Sequence, residues 1–278
     1  MVKQALLVSM DEQGVATLTL NRLEKHNAFD AELIRALIEA LETFVSHAQL
    51  RVLILNANGP HFSAGADLNW MRAMAEQDEA ANLEDAKRLA KLMQTLDHFP
   101  APTIASVQGA AFGGALGLIC CCDIAIATAE SRFCLSEVKL GLIPATIGPY
   151  VCRSLGQRHA RRYMLSAETF DANTALEMGL VHIVVNDEKQ LPQTTQSMAQ
   201  RLLHNSPKAM QQVKRLCQDC ASMPIESALI DKTSAMIANI RCSEEGQEGL
   251  NAFFSKRLPS WCPAKRLPSW CPAKRELE

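Results

Sequence analysis

Apolar and polar positions alternate in two different periods along the chain, and the change of period divides it. "QALLVSM" and "GVATLTL" are apolar runs on either side of the polar turn "DEQG", the pattern of a β-hairpin. In "DAELIRALIEALETFVSHA", Leu33, Ile34, Leu37, Ile38, Leu41 and Val45 recur at helical spacing behind Asp30, which is placed to cap the first turn. "RVLILNA" is an unbroken apolar run suited to a buried strand, followed by a loop, "NGPHFSAGADLNW". A polar-faced helix is expected around residues 82–98, then strands at "TIASVQG" and "DIAIAT". Strand and helix alternate in the manner of an α/β core with parallel crossovers. From about residue 188 the pattern is helical throughout. "PKAMQQVKRLCQDCA", "PIESALIDKTSAMIANI" and "SEEGQEGLNAFFSKR" each begin at a proline or polar start signal. The chain therefore divides into an α/β core over 1–198, a helical C-terminal subdomain over 199–261 and a tail over 262–278. In the tail, "KRLPSWCPA" occurs at 256–264 and again at 265–273. Two adjacent nine-residue copies are too few and too short for a solenoid, so the second is expected outside the fold.

Composition narrows the function classes. Of the 278 residues, 48% are hydrophobic, enough for a large core, and the formal charge of −2 argues against nucleic acid as a partner. No apolar run is long enough for a membrane span, and "MVKQALLVSMDEQG" has no signal-peptide pattern, which gives a cytoplasmic expectation. Cys120, Cys121 and Cys122 are adjacent and read as buried reduced thiols. "CQDC" at Cys217–Cys220 lies in a helical stretch without a second pair, and the seven histidines form no HExxH, so no metal site is expected.

"GAAFGGALGLICCCD", residues 109–123, concentrates four glycines in an apolar run whose first acid is Asp123. Glycines at a helix start admit a ligand close to the backbone, where the first amides lack internal acceptors and the helix dipole favours negative charge. The run lacks the G-x-G-x-x-G nucleotide fingerprint and a P-loop lysine. "FSAGADL", residues 62–68, follows a buried strand and offers a second set of amides among small residues. Two such sources together would form a two-donor hole for an oxyanion. Tight helix packing is the competing local explanation for the glycines.

These segments carry a resemblance. "HFSAGADL", "GAAFGGALGL", "FCLSEVKLGLIP" and "EGLNAFFSKRLPSW", in order over residues 4 to about 261, resemble the signatures of the crotonase superfamily of enoyl-CoA hydratases and isomerases. "LNRLEKHNAFD" is similar to its N-terminal signature, with Leu23 where proline is usual. "GADLNWM", "FGGALGL", "FCLSEV" and "ARRYMLSAETFDA" carry a narrower likeness to bacterial 3-methylglutaconyl-CoA hydratases of leucine breakdown.

The resemblance implies an α/β spiral of repeated ββα units, a helical C-terminal trimerisation region, and trimers or dimers of trimers. It places the oxyanion amides on Ala66 and Gly114 and an acid–base carboxyl on Glu137. An acyl-CoA thioester would lie along Ala64, Gly65, Asp67 and Leu68, beside Gly113 and Gly117. Lys25 and His26 would stand near the CoA entrance, and Lys256 and Trp261 would reach CoA or a neighbouring subunit. No cofactor beyond the CoA of the substrate is implied. Family hydratases commonly carry a first glutamate three residues after the oxyanion glycine, and here that position is Gly117. Hydration of 3-methylglutaconyl-CoA through Glu137 is thus set against double-bond isomerisation with one glutamate, and against a silent CoA-thioester-binding protein. Arg72, Lys139 and Arg153 are candidate partners for a carboxylate on the acyl group.

Overall fold

The computed structural model describes residues 4–263. The second copy of "KRLPSWCPA", at 265–273, lies outside the described residues. Strands β1 (Leu6–Met10) and β2 (Val15–Leu20) form the expected antiparallel hairpin. Helix α1 (Ala31–Val45) follows, with the Asp30 carboxylate accepting from the Leu33 amide. Its buried face is Leu33, Ile34, Leu37, Leu41 and Phe44. Val45, expected on that face, is 49% exposed: a period of 3.6 returns residue 44, not 45, beneath Leu37 and Leu41.

Parallel strands β3 (Val52–Ala57) and β4 (Thr103–Val107) extend the sheet and are separated by helices α2 (Leu68–Ala75) and α3 (Glu79–Asp97). The loop expected over 58–70 therefore ends early, because Asp67 caps α2 by accepting from the Asn69 and Trp70 amides. Next come β5 (Ala110–Phe112), α4 (Gly114–Cys121), β6 (Ile124–Thr128), β7 (Arg132–Cys134), α5 (Gly148–Ser166), β8 (Phe170–Asp171), α6 (Ala172–Glu177) and β9 (Ile183–Val185). The large sheet runs β1-β2-β3-β4-β6-β9 and is parallel from β2 onward. A smaller sheet runs β5-β7-β8. Each of β4 and β6 is followed by a small-sheet strand and then a helix, which is the repeating ββα unit of an α/β spiral.

The small sheet continues irregularly through two earlier turns of the chain. Ser63 bridges Ala111, and Phe29 bridges Ala66, both in parallel sense. Phe29, Ser63–Ala66, Ala110–Phe112 and Arg132–Cys134 are thus successive rungs, one from each turn of the spiral. Leu18, Leu20, Leu33, Leu37, Leu53 and Leu55 are among the fully buried side chains of this body.

The chain separates into two compact units. The first is Met1–Phe99 with Thr103–Ser197; the second is Pro100–Pro102 with the chain from Met198 onward. From Met198 the described residues of the second unit are mainly helical. Helix α7 (Gln190–Leu203) leads into it, followed by α8 (Pro207–Ser222), α9 (Ser227–Cys242) and α10 (Glu244–Phe254). Among the described residues no helix is long and apolar enough to cross a membrane.

Candidate active site

The rungs bring the predicted main-chain donors side by side. The Ser63 amide donates to Ala110 O at 3.0 Å and the Phe112 amide to Ser63 O at 3.0 Å, which lays the "FSAGADL" segment along β5. Along that segment burial alternates: Ala64 and Ala66 are exposed, Gly65 and Asp67 buried. β5 runs directly into Gly113, with φ 54° and ψ −122°. That left-handed φ favours glycine, and the space does too, since a Cβ there would lie 3.2 Å from Glu137 Oε1. Gly113 precedes the first helical residue, Gly114, whose amide is one of the helix's orphan donors. Among the described residues the amides of Ala66 and Gly114 meet no backbone acceptor. The ring of Phe29 lies against Gly114, within 3.7 Å of where a Cβ would stand.

Glu137 arrives from the next rung. The Gly113 amide donates to Cys134 O at 2.9 Å, and a 3-10 turn over Glu137–Leu140 begins three residues later. The Glu137 carboxyl packs against Gly113, and its Oε2 is buried without a hydrogen-bond partner. Burial pushes its pKa above the usual glutamate range, which its own backbone amide only partly offsets. A buried carboxyl without an ion-pair partner and with a raised pKa has the chemistry suited to carrying a proton.

Gly117, one turn into α4, is closed. A Cβ there would meet Ile147 Cγ2 at 2.3 Å, Ile147 Cβ at 2.9 Å and Met93 Sδ at 3.0 Å. Ile147 and Met93 are themselves fully buried. The helix thus carries a glycine under the carboxyl at its start and a glycine under an isoleucine one turn on. A glutamate at 117 does not fit this packing.

The remaining predicted residues take distinct places. Asp67 caps α2 and faces two cations, Arg22 Nη2 at 3.4 Å and Lys25 Nζ at 3.8 Å. Burial opposes its charge, but the Asn69 and Trp70 amides together with Lys25 and Arg22 outweigh it and hold the carboxyl below the usual aspartate range. Leu68 is 76% exposed at the start of α2. His26 has a left-handed backbone and accepts from the Ala64 amide at 2.9 Å; its ring meets that of His61 edge-on at 5.2 Å. Arg153 pairs with the buried Asp97, so this candidate for a substrate carboxylate already has a partner. Lys256 and Trp261 belong to the C-terminal unit. There the Trp261 indole donates to His204 O at 3.2 Å and packs over Gly249.

Two further residues, Asn27 and Arg22, organise the rung that carries Phe29. Asn27 is buried with φ 56°, accepts from the Arg22 amide and donates to Asn58 O and His61 O. Arg22 bridges Asp30 at 2.7 Å and Asp67, and donates through Nη1 to Ala28 O. A tolerance of asparagine for left-handed backbone is the one cue the sequence held for Asn27.

Cys120, Cys121, Cys122 and Cys134 are buried, while Cys152, Cys217, Cys220 and Cys242 are exposed. Burial pushes the Cys120 thiol up to about 12 and raises that of Cys121 as well, so both are inert, apolar filling. Among the described residues no three His, Cys, Asp or Glu side chains gather to hold a metal ion. A groove of about 790 Å³ along Leu6, Val8, Arg22, Glu32, Glu39 and Phe44 contains neither Glu137 nor the amide pair.

A spiral of ββα turns, two unpartnered amides on neighbouring rungs and a desolvated carboxyl on the next define a crotonase-type protein. The family model "Enoyl-CoA hydratase/isomerase" matches residues 10–263, and the chain belongs to that family. An enoyl-CoA hydratase from Shewanella pealeana is 55% identical, with a TM-score of 0.90 covering 93% of this chain and 96% of that one. An enoyl-CoA hydratase from Mycobacterium smegmatis is 34% identical, with a TM-score of 0.86 covering 93% and 99%. The 2,3-dehydroadipyl-CoA hydratase of Escherichia coli K12 is 32% identical over 92% of this chain and 98% of its own length.

Proposed function

We propose that the protein hydrates a branched enoyl-CoA, 3-methylglutaconyl-CoA in our reading, with Ala66, Gly114 and Glu137 as the working groups. The observation that carries the reading is the pair of unpartnered amides, Ala66 and Gly114, next to a buried carboxyl with a raised pKa. The thioester oxygen accepts from both amides, so negative charge developing there meets donors already in place. The Glu137 carboxylate takes a proton from water as the water oxygen bonds to C3. The electron pair of the C2–C3 double bond moves onto the thioester as an enolate. The protonated Glu137 then returns its proton to C2, and one water has been added overall. No electron is transferred, so the step calls for no cofactor besides the CoA carried by the substrate. Ala64, Gly65 and Leu68 line the thioester's path, with Lys25 and His26 at its mouth.

The substrate assignment rests on the likeness of "FGGALGL" and "FCLSEV" to methylglutaconyl-CoA hydratases, and a place in leucine breakdown follows from it. The named activity of the Escherichia coli relative, hydration of 2,3-dehydroadipyl-CoA, supports a hydratase of this general kind. We also propose assembly as a trimer or dimer of trimers; the exposed apolar side chains Ile225, at 86%, and Phe254, at 73%, on the C-terminal unit support association with further copies.

A second reading is favoured by the closed position at Gly117: a site with one carboxyl suffices for moving a double bond by carrying one proton between carbons. Incubation with 3-methylglutaconyl-CoA in oxygen-18 water separates the two. A product heavier by one labelled water establishes hydration. Unchanged mass with a migrated double bond in a 3-enoyl-CoA establishes the isomerase.

A further inference from the structure

The Ala66 amide stands at the end of a continuous chain of hydrogen bonds that starts on a cation. Arg22 Nη1 donates to Ala28 O, the Phe29 amide donates to Gly65 O at 2.7 Å, and the next amide is that of Ala66. A trans peptide is planar, with its C=O and N–H pointing in opposite directions. The carbonyl of Ala28 and the amide of Phe29 are the two ends of one such plane; the carbonyl of Gly65 and the amide of Ala66 are the two ends of the next. With Ala28 O held by the guanidinium, the Phe29 N–H points away from Arg22 and onto Gly65 O. With Gly65 O held by Phe29, the Ala66 N–H points away from Phe29. The Asp67 amide, donating to Phe29 O at 2.8 Å, fixes the following plane, that of the Ala66 carbonyl and the Asp67 amide, and so holds Ala66 from its C-terminal side.

We propose that Arg22 is a positioning residue that polarises the Ala66 amide through these two peptide planes, raising its strength as a donor to the thioester oxygen. Each hydrogen bond in a chain strengthens the next, because electron density drawn from one carbonyl makes the amide of the same plane more acidic. A cation at the head pulls in the direction in which the oxyanion pushes at the tail. The Arg22 side chain is 14% exposed, so water screens its charge little. Its charge is partly balanced by Asp30 at 2.7 Å and by Asp67 at 3.4 Å. Those carboxylates also cap α1 and α2, which fixes the head of the chain to two helix starts. Gly114, the other donor, follows Gly113, whose amide is bonded to Cys134 O, and it stands outside this chain.

The inference rests on Ala66 being an oxyanion donor, and its test is chosen to fail separately from that reading. The probe is butyryl-CoA labelled with carbon-13 at the thioester carbonyl, which has no double bond to hydrate. Infrared difference spectra report how far the bound carbonyl band is displaced from its position in free butyryl-CoA. Arg22→Gln keeps an N–H donor and removes the charge, so part of the displacement should be lost. With it, kcat should fall ~10-fold and KM change less than about twofold, a fraction of the loss on deleting a whole oxyanion donor. Asp30→Asn keeps a good cap for α1 and removes one balancing anion, so the band should move the opposite way, further from the free value. The two opposite displacements are a signature that a merely structural role for Arg22 does not produce. A wild-type band in folded Arg22→Gln overturns the proposal whatever happens to kcat. If Arg22→Gln melts below the assay temperature, a wild-type band in Asp30→Asn overturns it alone. A wild-type complex whose band equals that of free butyryl-CoA overturns the amide-pair reading itself, and the relay with it.

Discussion

The rung that carries Ala66 and the turn that carries Glu137 are built on opposite principles. Around Ala66 nearly every polar group is answered: the Phe29 and Gly65 planes lock together, Asn27 satisfies three backbone groups, and Arg22, Lys25, Asp30 and Asp67 balance one another. Around Glu137 the polar group is left unanswered. Its Oε2 is buried and unpartnered, and the segment that follows exposes Leu140, Leu142 and Ile143. In the proposed mechanism the two halves have different tasks. A donor to an oxyanion works best when its direction is fixed before substrate arrives. A proton carrier works best when its charged form is not too comfortable, so that its affinity for the proton lies near that of the groups it serves.

The largest effect should come from the uncomfortable half. Glu137→Gln keeps the shape and removes the titrating proton, and kcat should fall at least ~100-fold while butyryl-CoA still binds. Near-wild-type turnover by the folded variant would remove Glu137 from the chemistry. The parent's rate should also fall with falling pH along a limb above the ordinary glutamate range, since the working form is the carboxylate and burial favours the acid. Stability runs the other way. A carboxyl whose pKa is raised by folding contributes fully below its unfolded value, and that contribution is lost as pH rises through the folded value. At neutral pH Glu137→Gln should therefore melt higher than the parent, and a lower melting temperature would contradict a desolvated Glu137 carboxyl.

A comparable loss should follow from breaking the ordered half. Ala66→Pro deletes the amide hydrogen, and turnover should drop ~100-fold. Circular dichroism must show the variant folded, and a folded variant with normal turnover would take Ala66 out of the oxyanion hole. The smallest effect tests the closure between the halves. Gly117→Ala drives a methyl into Ile147 and Met93, which should cost about 1–3 kcal/mol of stability by overpacking. Pairing it with Ile147→Val should recover part of that cost in thermal melts. Additive losses would mean that the two positions are not in contact.

Much of this body was legible in the sequence where the pattern is long. The hairpin, α1 with its Asp30 cap, α3 and the C-terminal helices each span enough residues for a period to declare itself. The small sheet was not legible. "AAF" and "RFC" are three-residue strands, too short for any period, and the rungs at Phe29 and Ser63–Ala66 are single bridges. The glycines at 113 and 114 pointed to main-chain chemistry. The support behind Ala66 did not show, because Arg22 and Asp67 are 45 positions apart and no local spacing links them. Ile147 was likewise silent: nothing in "PATIGPY" says that it fills the dent at Gly117.

The rung arrangement also bears on how the chain reaches its native state. Phe29, Ala66, Gly114 and Glu137 come from four successive turns of the spiral, so no short fragment holds the acid, the donors and their support together. Each turn is a loop whose closure entropy is lost before its contacts repay it. The hairpin and helices rest on neighbours in sequence, whereas the proposed catalytic arrangement exists only once the last of these turns has closed.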